Sequence, residues 1–180
     1  MIVEMKEILA LAQDCGFDHV GELNMKDMEF MPEVRDMCAA DKCHSYGKTW
    51  SCPPAIGTLE ELNAKAMQYH RGILVQCTTE LEDDFDIEAM MENEERQKKA
   101  FDALVAALKK QYPNCWPMGT GACRLCPECT YPDAPCRFPD KVYPSMEACG
   151  LFVSRVCKQS GMEYYYGPKT MTYTSCILID

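Results

Sequence analysis

The stretch GACRLCPECTYPDAPCRFP, Gly121 to Pro139, puts four cysteines into nineteen residues. Cys123, Cys126 and Cys129 stand at a strict three-residue step, and Cys136 follows seven residues later. A single zinc ion usually takes two thiolates from one C-x2-C turn and two from elsewhere, so three thiolates at consecutive x2 steps crowd one small ion. A cubane iron–sulfur cluster has separated iron corners and can take one thiolate at each, as in the C-x2-C-x2-C run of bacterial ferredoxins. The pattern here departs from that run: six residues precede the fourth cysteine, and Arg137, not proline, follows it. Cys136 can therefore serve the same cluster or a neighbouring one.

The rest of the loop suits this chemistry. Gly119 and Gly121 permit sharp bends, and the prolines at 127, 132, 135 and 139 stiffen what lies between. Backbone N–H groups in cluster loops commonly point at the sulfurs. Arg124, Arg137 and Lys141 either offset negative charge on a thiolate-bound cluster or are solvated surface.

A second thiol set precedes it in DKCHSYGKTWSCPP and the residues just before: Cys38, Cys43 and Cys52, spaced C-x4-C-x8-C, with Pro53 after the last. Beside the first loop it is a second metal-site candidate with three obvious ligands. His44 adjoins Cys43 but is read as an ordinary loop histidine, and His19 and His70 as structural. Tyr46, Lys48 and Trp50 flank this set and either contact a substrate or cover the site. Cys15, Cys77, Cys157 and Cys176 fall on helix or strand patterns and read as small buried hydrophobes. Cys115 and Cys149 are left open. Met25, Met28 and Met31 read as gap-filling core or partner surface. ENEERQKK reads as a solvated helix face.

Thirteen cysteines is heavy usage, and the odd count leaves one thiol outside any all-disulfide scheme. The opening, MIVEMKEILALAQDCGFD, is interrupted by acidic residues and is read as a first helix, not a signal peptide. The expected compartment is thus cytoplasmic and reducing, where cysteine clusters bind metal or catalyse. The net charge of −10 argues against nucleic acid and anionic membrane as partners, since the phosphate term would be repulsive. It is neutral about small substrates and compatible with a basic redox partner protein. No apolar stretch approaches a membrane span.

Patterning predicts the framework. Asp18–Leu23 reads as a strand, MKDMEFMPEVRDMC as short helical pieces, and Thr58 with Glu61 as a capping box opening a helix. GILVQCT reads as a buried strand, and Asp86 to Tyr112 as a long helix with a Phe101, Leu104, Val105, Leu108 stripe. NCWPMGTG suggests a short strand, PSMEACG a helical turn, LFVSRVCKQSG a helix, and YTSCILID a closing strand. The expected fold is α/β or α+β: one domain over residues 1–180, a small mixed sheet flanked by helices, with two cysteine loops at 38–54 and 119–141. Strand order is not readable from these patterns.

Four ordered motifs resemble a prokaryotic family of predicted metal-binding proteins, a domain of unknown function. They are YGKTWSCPPAIGTLEEL (Tyr46 to Leu62), GACRLCPEC (Gly121 to Cys129), PCRFP (Pro135 to Pro139) and PSMEACG (Pro144 to Gly150). The resemblance runs from about Cys38 to Val153. It implies Cys38, Cys43, Cys52, Cys123, Cys126, Cys129 and Cys136 as metal ligands, and a prokaryotic, often anaerobic, setting. It implies no reaction, and it does not extend to Cys149.

Together these readings give an iron–sulfur protein with one or two clusters of the 4Fe–4S type, as an electron carrier or as a cluster-dependent enzyme acting on a small molecule. The alternative is a zinc-stabilised structural or interaction module. No general acid or base stands out.

Overall fold

The computed structural model describes residues 4–180. Its two long strands decide the architecture. β2 (Arg71–Glu80) and β4 (Thr170–Ile179) pair antiparallel over ten positions, from Arg71 opposite Ile179 to Glu80 opposite Thr170. β1 (His19–Glu22) adds to the outer edge of β2, and β3 (Trp116–Met118) to that of β4, giving the order β1-β2-β4-β3. Within the expected class, all three pairings among these strands are antiparallel.

Both faces of this sheet are covered, which explains why GILVQCT carries an apolar run and not an alternating pattern. Side chains still alternate face by face. Ile73, Val75 and Cys77 point with Ile177 and Ile179 into one core, closed by α1 (Met5–Asp14) and α4 (Ile87–Lys109). Leu74 points with Cys176 and Leu178 into the other, closed by α3 (Leu59–Ala66) and α5 (Val153–Gln159). The α4 stripe of Phe101, Leu104, Val105 and Leu108 is buried as expected, each side chain contributing about 1.5–3 kcal/mol by leaving water. Residues 1–3 of the segment read as the first helix lie outside the described residues.

Local signals set the helix boundaries. Thr58 and Glu61 form the reciprocal capping box of α3, with Glu61 N–H to Thr58 Oγ1 at 3.2 Å and Thr58 N–H to Glu61 Oε2 at 2.7 Å. Asp86 caps α4 by accepting from Ala89 N–H at 3.1 Å. Pro32 opens α2 (Pro32–Ala39), where its missing N–H costs nothing.

The charge run on α4 needs a correction. Asn93 and Gln97, one turn apart inside ENEERQKK, face inward and are 2% and 1% exposed. Asn93 donates to the carbonyls of Cys77 and Met171 at 3.1 and 3.2 Å. Gln97 donates to Ser175 Oγ and accepts from Thr120 Oγ1 at 3.0 Å. The glutamates and lysines around them are the solvated part: Lys98 pairs with Glu94, and Lys99 with Glu95.

Candidate metal centre

The two cysteine loops meet beyond the edge strand β3. β3 delivers the chain to Gly119, whose N–H donates to the Pro144 carbonyl at 2.8 Å. This contact ties the start of the Gly121–Pro139 loop to PSMEACG. Gly150, which closes that motif, has φ +89°, and a Cβ there would stand 2.6 Å from Leu59 Cδ2. Glycine lets the turn pass that close to α3 while its carbonyl accepts from Met31 N–H at 2.7 Å, ahead of α2.

Cys123, Cys126, Cys129 and Cys136 line one cavity, together with Trp50 from the other loop. Its free volume is about 20 Å³, close to a single water. Cys38, Cys43 and Cys52 line a second, larger cavity of about 220 Å³, together with Tyr46 and Glu147. The seven expected cysteines are thus sorted into the four and the three that their spacing suggests. Among the described residues, no three His, Cys, Asp or Glu side chains converge tightly enough to ligate one ion directly. In each set the thiols surround a space. Seating a cubane among the four would require their side chains to swing outward, whereas the second cavity already has room.

The donor chemistry fits a thiolate-bound group. Phe138 N–H donates to Cys136 Sγ at 3.4 Å, and the Leu125 backbone N–H is near enough to Cys123 to favour its thiolate. Such bonds favour the thiolate form. Burial pushes the Cys123 thiol up, the Leu125 N–H acts against this, and the neighbouring Cys136, Cys126 and Cys129 raise it further. Cys38 is likewise raised by burial, then by Cys43, Glu147 and Cys52, with Arg35 opposing. Arg35 donates to the Gly57 carbonyl through Nη2, while its Nη1 is buried without an acceptor. An orphaned guanidinium nitrogen close enough to Cys38 to act on its charge suits an anionic centre there.

The two loops form one unit. Ser51, 1% exposed, accepts from Cys123 N–H at 2.9 Å, and its Oγ is 3.7 Å from the sulfur of its neighbour Cys52. Trp50 Nε1–H donates to Thr130 Oγ1 and the Ala134 carbonyl, both at 3.2 Å, and its ring meets Tyr131 edge-on at 4.9 Å. Gly121 and Ala122 form part of the wall of the three-cysteine cavity, and Cys123 part of the four-cysteine cavity.

Other residues fall where their patterns placed them. Cys77, Cys157 and Cys176 are fully buried, and Cys15 packs half-buried against the first core. The two open cysteines resolve as core: Cys115 lies under α4 in the first cluster, and Cys149 is fully buried in the second. Burial pushes the Cys149 thiol up to about 12 and Cys176 well above the thiol range. His44 is exposed and does not line the cavity beside Cys43. His19 stacks on Tyr166 at 4.0 Å, and His70 pairs with Asp180 at 3.1 Å. Lys48 pairs with Asp41 at 3.5 Å.

Sequence reasoning missed Glu147, Ser51 and Arg35. Glu147 sits inside the PSMEACG motif, yet its place on the wall of the three-cysteine cavity depends on how that turn folds back. Although the residue is exposed overall, desolvation raises its carboxyl.

No helix among the described residues is long and apolar enough to cross a membrane. No curated protein and no solved structure matches the chain. A family model described as "Predicted metal-binding protein (DUF2284)" matches residues 21–179, which include both cysteine sets. The chain belongs to this family of predicted metal-binding proteins.

Proposed function

We propose that this chain is an iron–sulfur redox protein whose two cysteine sets hold two centres. The observation that carries the reading is the grouping of Cys123, Cys126, Cys129 and Cys136 around one cavity, with the Phe138 N–H directed at the Cys136 sulfur. Three thiols at consecutive x2 steps suit separate iron corners better than one zinc ion. A cluster of the 4Fe–4S type held there would supply one-electron transfer.

The chain's own residues divide the remaining tasks. Trp50 and Arg137 wall the four-cysteine cavity and limit water access. Arg35 places positive charge near Cys38. Ser51 fixes the spacing of the two loops through its bond to Cys123 N–H. At the second site Cys38, Cys43 and Cys52 would supply three sulfurs, and Glu147 is the acidic side chain on a wall that also carries Tyr46 and Ser145. A carboxylate is more readily displaced from iron than a thiolate, so a corner held by Glu147 is where a small molecule could exchange in. Electron transfer is the function at the four-cysteine set, and the second set is the place where a substrate would meet the electrons.

A zinc-stabilised module is the second reading, and the 20 Å³ free volume among the four thiols favours it, being closer to one ion than to a cubane. Single substitutions test the division into two centres. Cys126→Ser should empty the four-cysteine site and leave metal at the other, and Cys52→Ser should do the reverse. Full metal content in Cys126→Ser would remove that residue from any site. Simultaneous loss from both sites in either variant would make the seven cysteines a single coupled centre.

A further inference from the structure

Beside the two thiol-lined cavities lies a third hollow, which Cys123 alone of the seven candidate ligands touches. A cavity of about 280 Å³ lies between α4 and the start of the Gly121–Pro139 loop. Its apolar wall is made by Phe101, Tyr143 and Leu125, the two rings meeting edge-on with centroids 5.7 Å apart. Lys98, Arg124 and Lys141 also line it, against one carboxylate, Asp102. In a chain of net charge −10, this concentrates positive charge on one hollow, whose other polar side chains, Gln97 and Thr120, bond to each other.

The cations are not equally committed. Lys98 is paired with Glu94 at 2.6 Å. Arg124 and Lys141 make no ion pair among the described residues, although Lys141 is near enough to Asp102 to lower its pKa against the rise that burial causes. Tyr143 is held as the neutral phenol, its pKa pushed up to about 12 chiefly by burial. One free guanidinium and one shared ammonium over an aromatic wall match a single negative charge on a flat apolar body. A phosphate dianion would call for more uncommitted donors. At ~30 Å³ for each water-sized group, the volume holds about nine non-hydrogen atoms.

We propose that this cavity binds a small aromatic or unsaturated carboxylate, the carboxylate on Arg124 and Lys141 and the body against Phe101 and Tyr143. Cys123 lines both this cavity and the four-cysteine cavity. A ligand here therefore abuts the wall of the candidate metal centre. Binding itself does not depend on the metal reading; only the significance of the Cys123 contact does.

Benzoate has the required size and charge, and benzamide is its neutral counterpart. Calorimetric titration of the anaerobically purified protein should show one saturable benzoate site, with benzamide weaker by about tenfold, the effect of losing one charge-assisted contact. Arg124→Gln and the exposed Lys141→Gln should each weaken benzoate by about fivefold or more, with metal content unchanged. Absence of saturable benzoate binding, equal affinity for the two probes, or indifference to both substitutions would overturn the proposal. Loss of metal together with binding in both variants would also overturn it, by assigning these cations to the metal centre. Metal measured on the same samples separates the two readings: a metal-free chain that still binds benzoate refutes the iron–sulfur reading and leaves the cavity assignment standing.

Discussion

Replacing Ser51 with alanine removes the side-chain hydrogen bond that, among the described residues, ties the Cys52 turn directly to a cysteine of the other loop. The wild-type Oγ accepts from Cys123 N–H at 2.9 Å and lies 3.2 Å from Thr49 Oγ1. Alanine preserves the packing of a residue that is 1% exposed, so the cost arises almost wholly from the hydrogen bond. An ordinary lost bond costs about 1 kcal/mol, and a donor left buried without a partner about 1–3 kcal/mol. Cys123 is only half-buried, so water can partly replace the acceptor, and about 1–2 kcal/mol is expected. For a chain of this size that corresponds to a fall in Tm of about 2–8 °C. Thermal unfolding of the metal-loaded protein measures it, with Ser45→Ala as control. The Ser45 hydroxyl makes only an exposed contact to the Cys43 carbonyl at 3.3 Å, and its loss should shift Tm by less than about 1 °C. Ser51→Ala should also release metal faster from both sites. Wild-type Tm and wild-type metal retention in Ser51→Ala would refute the claim that this bond joins the two loops.

Three further outcomes follow from the geometry. Cys176→Ser should retain its full metal content while losing about 1–3 kcal/mol, because a hydroxyl would replace sulfur in a wholly buried apolar cluster; metal loss would show that Cys176 is not core. Gly150→Ala should destabilise by about 1–3 kcal/mol, since the left-handed φ and the 2.6 Å approach to Leu59 both oppose a Cβ, and an unchanged urea midpoint would contradict this. Burial raises the Asp18 carboxyl, but the Arg96 bonds at 2.7 and 3.1 Å and Thr78 N–H at 2.8 Å more than offset it, so its pKa is lowered. The resulting stability is present above the unfolded carboxylate range and lost as pH falls through the lowered native value. Because both side chains are more than a third exposed and solvent screens the pair, Asp18→Asn should cost about 1 kcal/mol or less at neutral pH, with the gap to wild type narrowing as pH drops from about 4; a gap independent of pH would contradict the ion pair.

The strands and helices were legible because each carries a local signal. Thr58 and Glu61 mark a helix start through bonds made within four residues, and the α4 stripe follows from its periodicity alone. What escaped depends on distant partners. Asn93 and Gln97 look like part of a solvated charge run until β2 and β4 place the Cys77 and Met171 carbonyls and Ser175 beside them. Gln76 sits in an apolar strand because Tyr166 donates to it at 2.6 Å from a segment ninety residues away. The cysteine spacing divides the thiols between two loops, and each loop's set lines its own cavity. It contained no sign that Ser51 would join them or that Glu147 would reach the second cavity, since both facts arise from loop-to-loop packing. The order β1-β2-β4-β3 was hidden for the same reason: apolar alternation specifies which face of a strand is buried, not which neighbour it takes.

The central claim is that the four-cysteine set holds an iron–sulfur cluster. Iron, zinc and acid-labile sulfide per chain, measured on protein purified without oxygen, test it most directly, with the visible spectrum taken before and after dithionite. The account predicts about four or eight irons with matching sulfide, and a brown colour that bleaches on reduction. One or two zinc ions, no sulfide and no colour would contradict it and make the thiolates a structural staple.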